Sequence, residues 1–404
     1  MGRKGTWQTA IRAFTLGLLI QPMLVACVAT PDPSTSSKPE TTGVQSPTPS
    51  PFSTKGLSSS ETNRIPSRSK ASVLISGLAG PTQIALGPQG SWLVAELGGE
   101  DPSGDENGST GRILLIDPKT KIKRVLAEGL DKPTGVAWID NTVWIMVRRG
   151  IVRFPLTDAP LASLMKSKEI PAIQTVVSDL PFNGRSEGTL TPLPTGTFLY
   201  ETTGNIKQSD ASGEGLPEEG SGTLWSFDPQ TNKSTAIAIG LKNSYAHVAL
   251  SDGRVATTEI GDNIDIEPLD EVNILETVTA AKSGKAPQTF GWPICDAAGK
   301  PLTKADSPRC SEATPALRSF PAHLTPTGIA QYGKDLYVSL FVSGQIMRLP
   351  NDALTPTATP LNKRPAAQVW ASDLEGPHTL LVDGTRLLVT ETTAGRIVAF
   401  TLPS

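Results

Sequence analysis

Glu96, Glu259 and Glu391 fall at the same place in three copies of a repeated pattern, just past a β-rich run, and Glu201 falls one residue early in a fourth. Carboxylates at equivalent repeat positions would ring one end of a channel, where they either hold a divalent cation or cap turns. The sequence leaves both chemistries open. Of the three histidines, His323 sits in Pro321-Ala322-His323-Leu324-Thr325-Pro326 ahead of a β-rich run, and His378 holds the matching place in the next copy. Both are candidates to line the channel. His247 lies inside Ala246-His247-Val248-Ala249 and reads as a satisfied buried imidazole. If all three met at one axis they would supply a base or metal ligands. Trp225 and Trp292 read as packing residues rather than sugar platforms.

The elements that position these residues come from an internal repeat. Six copies of a Leu, a nearby Gly or Pro, a β-rich run, a turn, a second run and a small residue leading to a third are visible. They begin at Leu78, Leu130, Gly188, Leu241, Leu324 and Leu374, and blade one, for example, runs from Leu78-Ala79-Gly80-Pro81 to Gly111-Arg112-Ile113. A repeat of about fifty residues made of strand and turn is the signature of a β-propeller, so the expected fold is all-β, a six-bladed β-propeller over 70–404. Six-fold repetition collects loops from every blade at one mouth. Because the first and last repeats match closely, the ring is expected to close with whole repeats. Insertions over 101–110, 208–220, 262–270 and 278–320 are expected to crown one face.

Residues 1–27 have a basic start, an apolar run and Leu24-Val25-Ala26-Cys27, the order of an export signal ending in a bacterial lipobox. That makes Cys27 the acylated first residue of the mature chain. Residues 28–69, rich in Pro, Ser and Thr, form a flexible tether. The expected location is the bacterial cell envelope, lipid-anchored on its periplasmic or extracellular face, with the membrane touched only through the anchor. Export also favours a disulfide between Cys295 and Cys310, which flank a polar loop; a metal site built on two isolated cysteines is the weaker alternative. A net charge of −3 argues against a nucleic-acid partner, and a monomer is expected.

From Asn183 to Arg348 the order of short motifs resembles the glucose/sorbosone dehydrogenase family, six-bladed propellers that use pyrroloquinoline quinone. The motifs are Gly184-Arg185, Leu199-Tyr200-Glu201-Thr202-Thr203-Gly204-Asn205, Gly222-Thr223-Leu224-Trp225, Gly240-Leu241-Lys242-Asn243, Thr258-Glu259-Ile260-Gly261, Asp270-Glu271-Val272-Asn273, Gly291-Trp292-Pro293 and Ala322-His323-Leu324-Thr325-Pro326. The resemblance implies a cofactor site using Arg185, Lys242, Asn243 and His378, and a calcium site near Gly261, Asp262 and Glu259.

It also implies a catalytic base after Gly184-Arg185. The residue there is Ser186 where the family has His, and a serine cannot take a proton near neutral pH without a base of its own. Glu187 and His323 are the substitutes at hand. The family Lys after blade five is missing from Leu340-Phe341-Val342-Ser343-Gly344, and Pro377-His378-Thr379 stands in place of an Arg-x-Arg stretch. Quinone binding is therefore expected to be weak or absent. Three function classes follow: a quinone-dependent dehydrogenase of a sugar or aldehyde, a non-catalytic propeller binding a saccharide or an envelope protein, and a calcium-dependent lactonase-type hydrolase.

Overall fold

The computed structural model describes residues 70–99, 108–184, 187–209, 215–261, 269–276, 286–302, 310–350 and 366–403. The signal, the tether and Cys27 lie outside them. The second strand of each blade is buried on both faces, because each blade is sandwiched between two others. In Trp92–Glu96, Trp92 and Val94 pack toward blade six while Leu93 and Ala95 pack toward blade two. A period of two thus sends alternate side chains into alternate seams.

Six blades result, their four strands antiparallel, running from inner to outer in chain order in blades one to five. Blade one is Pro81–Leu86, Trp92–Glu96, Gly111–Ile116 and Lys123–Leu130. Blade two is Gly135–Ile139, Thr142–Val147, Gly150–Pro155 and Gln174–Val177. Blade three is Thr191–Pro192, Phe198–Thr202, Thr223–Asp228 and Lys233–Ile239. Blade four is His247–Ala249, Val255–Glu259, Asp270–Leu275 and Arg318–Phe320. Blade five is Pro326–Tyr332, Asp335–Leu340, Gln345–Leu349 and Gln368–Ala371. Blade six takes Pro377–Asp383, Arg386–Glu391 and Arg396–Thr401 from the chain end, and its outer strand, Ser72–Ser76, from the beginning. The ring therefore does not close with whole repeats. One strand from the far end of the propeller completes the last sheet, so backbone hydrogen bonds tie the two ends together. No helix among the described residues is long and apolar enough to cross a membrane.

The core is divided among the seams. Six apolar clusters fill the six blade–blade interfaces; the one between blades two and three stacks Trp144 against Phe198 and Phe227 at 5.2 and 5.4 Å. Near the axis, where inner strands have no sheet neighbour, threonines staple one blade to the next. Thr82 donates to the Pro133 carbonyl, Thr134 to Gly188, Thr191 to His247, Thr327 to Pro377, and Thr379 to Thr82. Blade four has Tyr245, and blade six His378, where Thr82, Thr134 and Thr327 stand in their own repeats. The seam of blade four with blade five is bridged by Asp270, which accepts from the Thr325 and Gly261 amides.

Three of the four insertions join a second strand to a third and so leave from one face, the upper face of the ring. The fourth does not. It leaves blade four at Leu275, at the lower end, adds Gln288–Thr289 parallel to the outer strand of blade three, and climbs to the upper face at Trp292.

Candidate functional site

The glutamates show how parity builds the upper face. Glu96 shares the side of Trp92 and Val94, and so points into the six–one seam, where it accepts the Ala79 amide at 2.9 Å. Glu391 faces the five–six seam and accepts the Glu375 amide at 2.7 Å, and Glu259 faces the three–four seam and accepts the Lys242 amide at 2.6 Å. Each caps the connector leading into its own blade. The ring of carboxylates is therefore a set of separate turn caps, and no three acidic, histidine or cysteine groups among the described residues gather into a metal-holding set. Glu201 lies one residue earlier on its strand, on the side of Leu199, which turns it into the following seam. There it accepts the Ser244 amide at 2.9 Å and shares the three–four seam with Glu259.

The channel beneath is crossed twice. From blade one, Gln83 accepts from the Val136 and Leu190 amides at 2.8 and 3.0 Å and donates to the Leu190 carbonyl at 2.8 Å. From blade six, the His378 ring shares a 3.0 Å hydrogen bond with the Tyr245 hydroxyl of blade four's connector. Both residues are buried, and His378 also meets Phe341 edge-on at 6.0 Å. Tyr245 and His378 thus meet across the axis at the upper ends of the inner strands. Burial holds His378 at about 3, a neutral imidazole. It likewise raises the Tyr245 phenol, helped by the charges of Glu201 and Glu187.

Five carboxyl groups at the upper ends of blades three and four are buried: Glu187 against the Arg149 amide of blade two, Glu201, Glu259 and Glu271 in the three–four seam, and Asp270 in the four–five seam. Glu187 accepts the Arg149 amide at 2.9 Å, and burial raises its carboxyl to about 7. Glu201 is pushed well above its usual range by burial and by Glu187. Burial raises Glu259 to about 7 and Asp270 to about 6. Glu271, directly opposite Glu259 in the ladder, is raised well above the usual range by burial and by that neighbour. The Asn273 amide nitrogen bridges the two, at 2.7 Å from Glu259 and 3.2 Å from Glu271.

Lys242 is half-buried beside them; its ammonium donates to the Gly204 carbonyl at 3.1 Å and lies 5.0 Å over the Trp292 ring. That ring fits because Gly204 has no Cβ, which would fall 2.8 Å from it. Trp292 is a packing residue. Below it, Cys295 and Cys310 are joined by a disulfide. Asn243 is buried with its side-chain oxygen free of hydrogen bonds.

The structure does not bring the histidines together. His247 is buried with its Nε2 2.6 Å from the Ser244 carbonyl, held neutral at about 4 by burial. His323 is exposed at the rim, in a left-handed turn at φ 66°, and does not line the channel. Arg185, Ser186 and Asp262 lie outside the described residues. Gly261 donates its amide to Asp270 at 2.9 Å. Sequence reading missed Tyr245, Phe341 and the pairing of Glu271. The signals were the tyrosine shortly after the Lys242-Asn243 pair and the odd offset of Glu201.

No family model matches the chain, and no curated protein matches it in sequence. Solved structures do match in fold. A putative glucose dehydrogenase from Thermus thermophilus is 16% identical, with 81% of this chain and 98% of that one covered, at a TM-score of 0.58. A PQQ-bound aldose sugar dehydrogenase from Streptomyces coelicolor is 19% identical, covering 81% and 96%, at 0.57. The PQQ domain of a pyranose dehydrogenase from Coprinopsis cinerea is 14% identical, covering 82% and 95%, at 0.59. At these identities the likeness is one of fold.

Pyrroloquinoline quinone carries three carboxylates, and a site for it needs cations. The described mouth has five buried carboxyl groups on one side. On the other stands Phe341, while Arg396 of blade six is committed to Glu391 and Glu375. Against those carboxyl groups the described residues set Lys242, bonded to Gly204, and Arg148, paired with Asp131, a charge balance that does not fit that cofactor.

Proposed function

We propose that the chain is a bacterial envelope propeller of the sugar-dehydrogenase type, anchored through acylated Cys27, that takes a sugar or an aldehyde at the mouth above Tyr245 and His378. It works as a monomer without a nucleic-acid partner. The observation that supports this reading is the buried arc of Glu187, Glu201, Glu259, Asp270 and Glu271. Carboxyl groups whose protons are retained toward neutral pH both donate and accept hydrogen bonds, which suits ligands that present hydroxyl and carbonyl groups. Titration calorimetry with D-glucose, D-xylose and glyceraldehyde tests it: saturable binding that Glu187→Gln weakens is the expected result, and no heat with any of them rejects it.

Oxidation of that ligand is the second reading, and the position of Glu187 favours it. A carboxyl near 7 is matched to general-base work at neutral pH, a role typically worth about 10²–10⁴-fold. Protein incubated with calcium and pyrroloquinoline quinone, then assayed by dye reduction with aldoses, should bind the quinone weakly and turn over slowly at best. Rates usual for enzymes, roughly 1–10³ per second, would establish the dehydrogenase reading and place the missing cations among residues outside the described ones.

A further inference from the structure

We propose that Phe341 is the specificity-determining platform of this mouth, carrying the apolar face of a neutral sugar ring and favouring neutral sugars over anionic ones. The inference rests on the sugar reading above and adds a residue to it.

Phe341 follows the second strand of blade five at the upper face and is half-buried. Its backbone is fixed: the Phe341 amide donates to the Thr325 carbonyl at 3.0 Å, and the Val342 amide to Leu324 at 3.2 Å. Its ring is fixed as well. It stands edge-on to His378 at an interplanar angle of 89°, and it lies against Gly376, where a Cβ would fall 3.0 Å from the ring in a left-handed turn that already disfavours other residues. A half-buried aromatic ring held by backbone on one side and by a buried imidazole on another has lost its freedom before any ligand arrives, so little further entropy is spent on binding.

The surroundings decide what it can hold. Through His378 and the hydroxyl of Tyr245 the ring connects across the axis toward Glu201 and Glu187, which lie near enough to that hydroxyl to disfavour its ionisation. The mouth thus has an aromatic edge on blades five and six and a hydrogen-bonding edge on blades three and four. A pyranose has that division: axial C–H bonds form an electropositive face that suits the negative face of a π system, while the hydroxyls radiate around its rim. The side-chain oxygen of Asn243, buried without a hydrogen bond, lies behind the polar edge. An anionic sugar would face buried carboxyl groups there, with the Lys242 ammonium already held by Gly204 and Trp292 and Arg396 of blade six paired twice.

The test compares methyl α-D-glucopyranoside with the methyl glycoside of glucuronic acid, two ligands of the same ring of which only one is charged and neither of which has a free anomeric hydroxyl to oxidise. Calorimetry on the wild type should favour the neutral glycoside. Phe341→Ala should weaken it about three- to tenfold with the melting temperature kept, Phe341→Trp should retain it, and Phe341→Lys should shift preference toward the glucuronide. Should Phe341→Ala not fold, Phe341→Leu, which keeps bulk without a π face, carries the same expectation. Neutral-glycoside affinity unchanged in the Ala or Leu variant, or a wild type that prefers the glucuronide, overturns the platform and leaves the sugar reading standing. A wild type that binds neither glycoside nor free glucose overturns both.

Discussion

Blades one and six and blade four place a glutamate at the same strand end, with the same job, and neutralise it differently. Glu96 lies opposite Arg112 and Glu391 opposite Arg396, with ion pairs of 2.6 Å in each case. Glu259 lies opposite Glu271. Like charges directly opposite across a ladder are destabilising, so blade four keeps its pair by holding protons and by bridging it with Asn273. Blades one and six are built for stability. Blade four, at the mouth, gives up stability for carboxyl groups that titrate near neutral pH, which is where functional groups concentrate.

The largest expected effect comes from breaking the stable version. Glu391→Ala should cost about 3 kcal/mol in chemical denaturation, since it uncaps the Glu375 amide and leaves the largely buried Arg396 with only the half-exposed Glu375; a loss below about 1 kcal/mol would mean that the pair is no more than a surface one. Next is the pH response of blade four. Glu259 rises from 4.5 unfolded to about 7 folded. Below 4.5 both states hold the proton; between 4.5 and 7 the unfolded chain releases it and the folded chain does not, so stability falls as pH rises through that window, on the order of 2–3 kcal/mol. His378 and His247, depressed by burial, act oppositely and lose stability as pH falls through 6.5. Comparing denaturation midpoints of wild type and Glu271→Arg across pH 4.5–8 cancels the histidine contribution. The variant, which copies blades one and six, should be flatter over that range and more stable at pH 8, and equal slopes would reject the account in which blade four holds its pair by retaining protons.

A smaller effect is expected at the axis. Thr327→Val removes a staple to blade six, leaves the Pro377 carbonyl short of a donor and should cost about 1 kcal/mol. The smallest is His323→Ala, within about 0.5 kcal/mol, because the side chain stands in solvent; a larger loss of stability, or of sugar binding, would return His323 to the site.

Much of this was legible in the chain. The repeat announced six blades, and the spacing of Glu96, Glu259 and Glu391 announced one job performed three times. The one-residue offset of Glu201 also carried its meaning, because a period of two turns every odd step to the other face. Which seam that face opened into was not legible. Nor was the partner: Arg112, Arg396 and Glu271 are cross-strand neighbours only once the ladders have registered.

Composition, repeat length and strand parity, all local in the chain, determined an all-β ring with acids at its upper strand ends. Tertiary structure alone decided that Ser72–Ser76 closes blade six, that Trp292 arrives over Gly204 by way of blade three, and that Tyr245 meets His378 across 133 residues of chain. The physical reason is that these contacts join segments distant in sequence, and burial sets a carboxyl's charge only after the ring has closed around it.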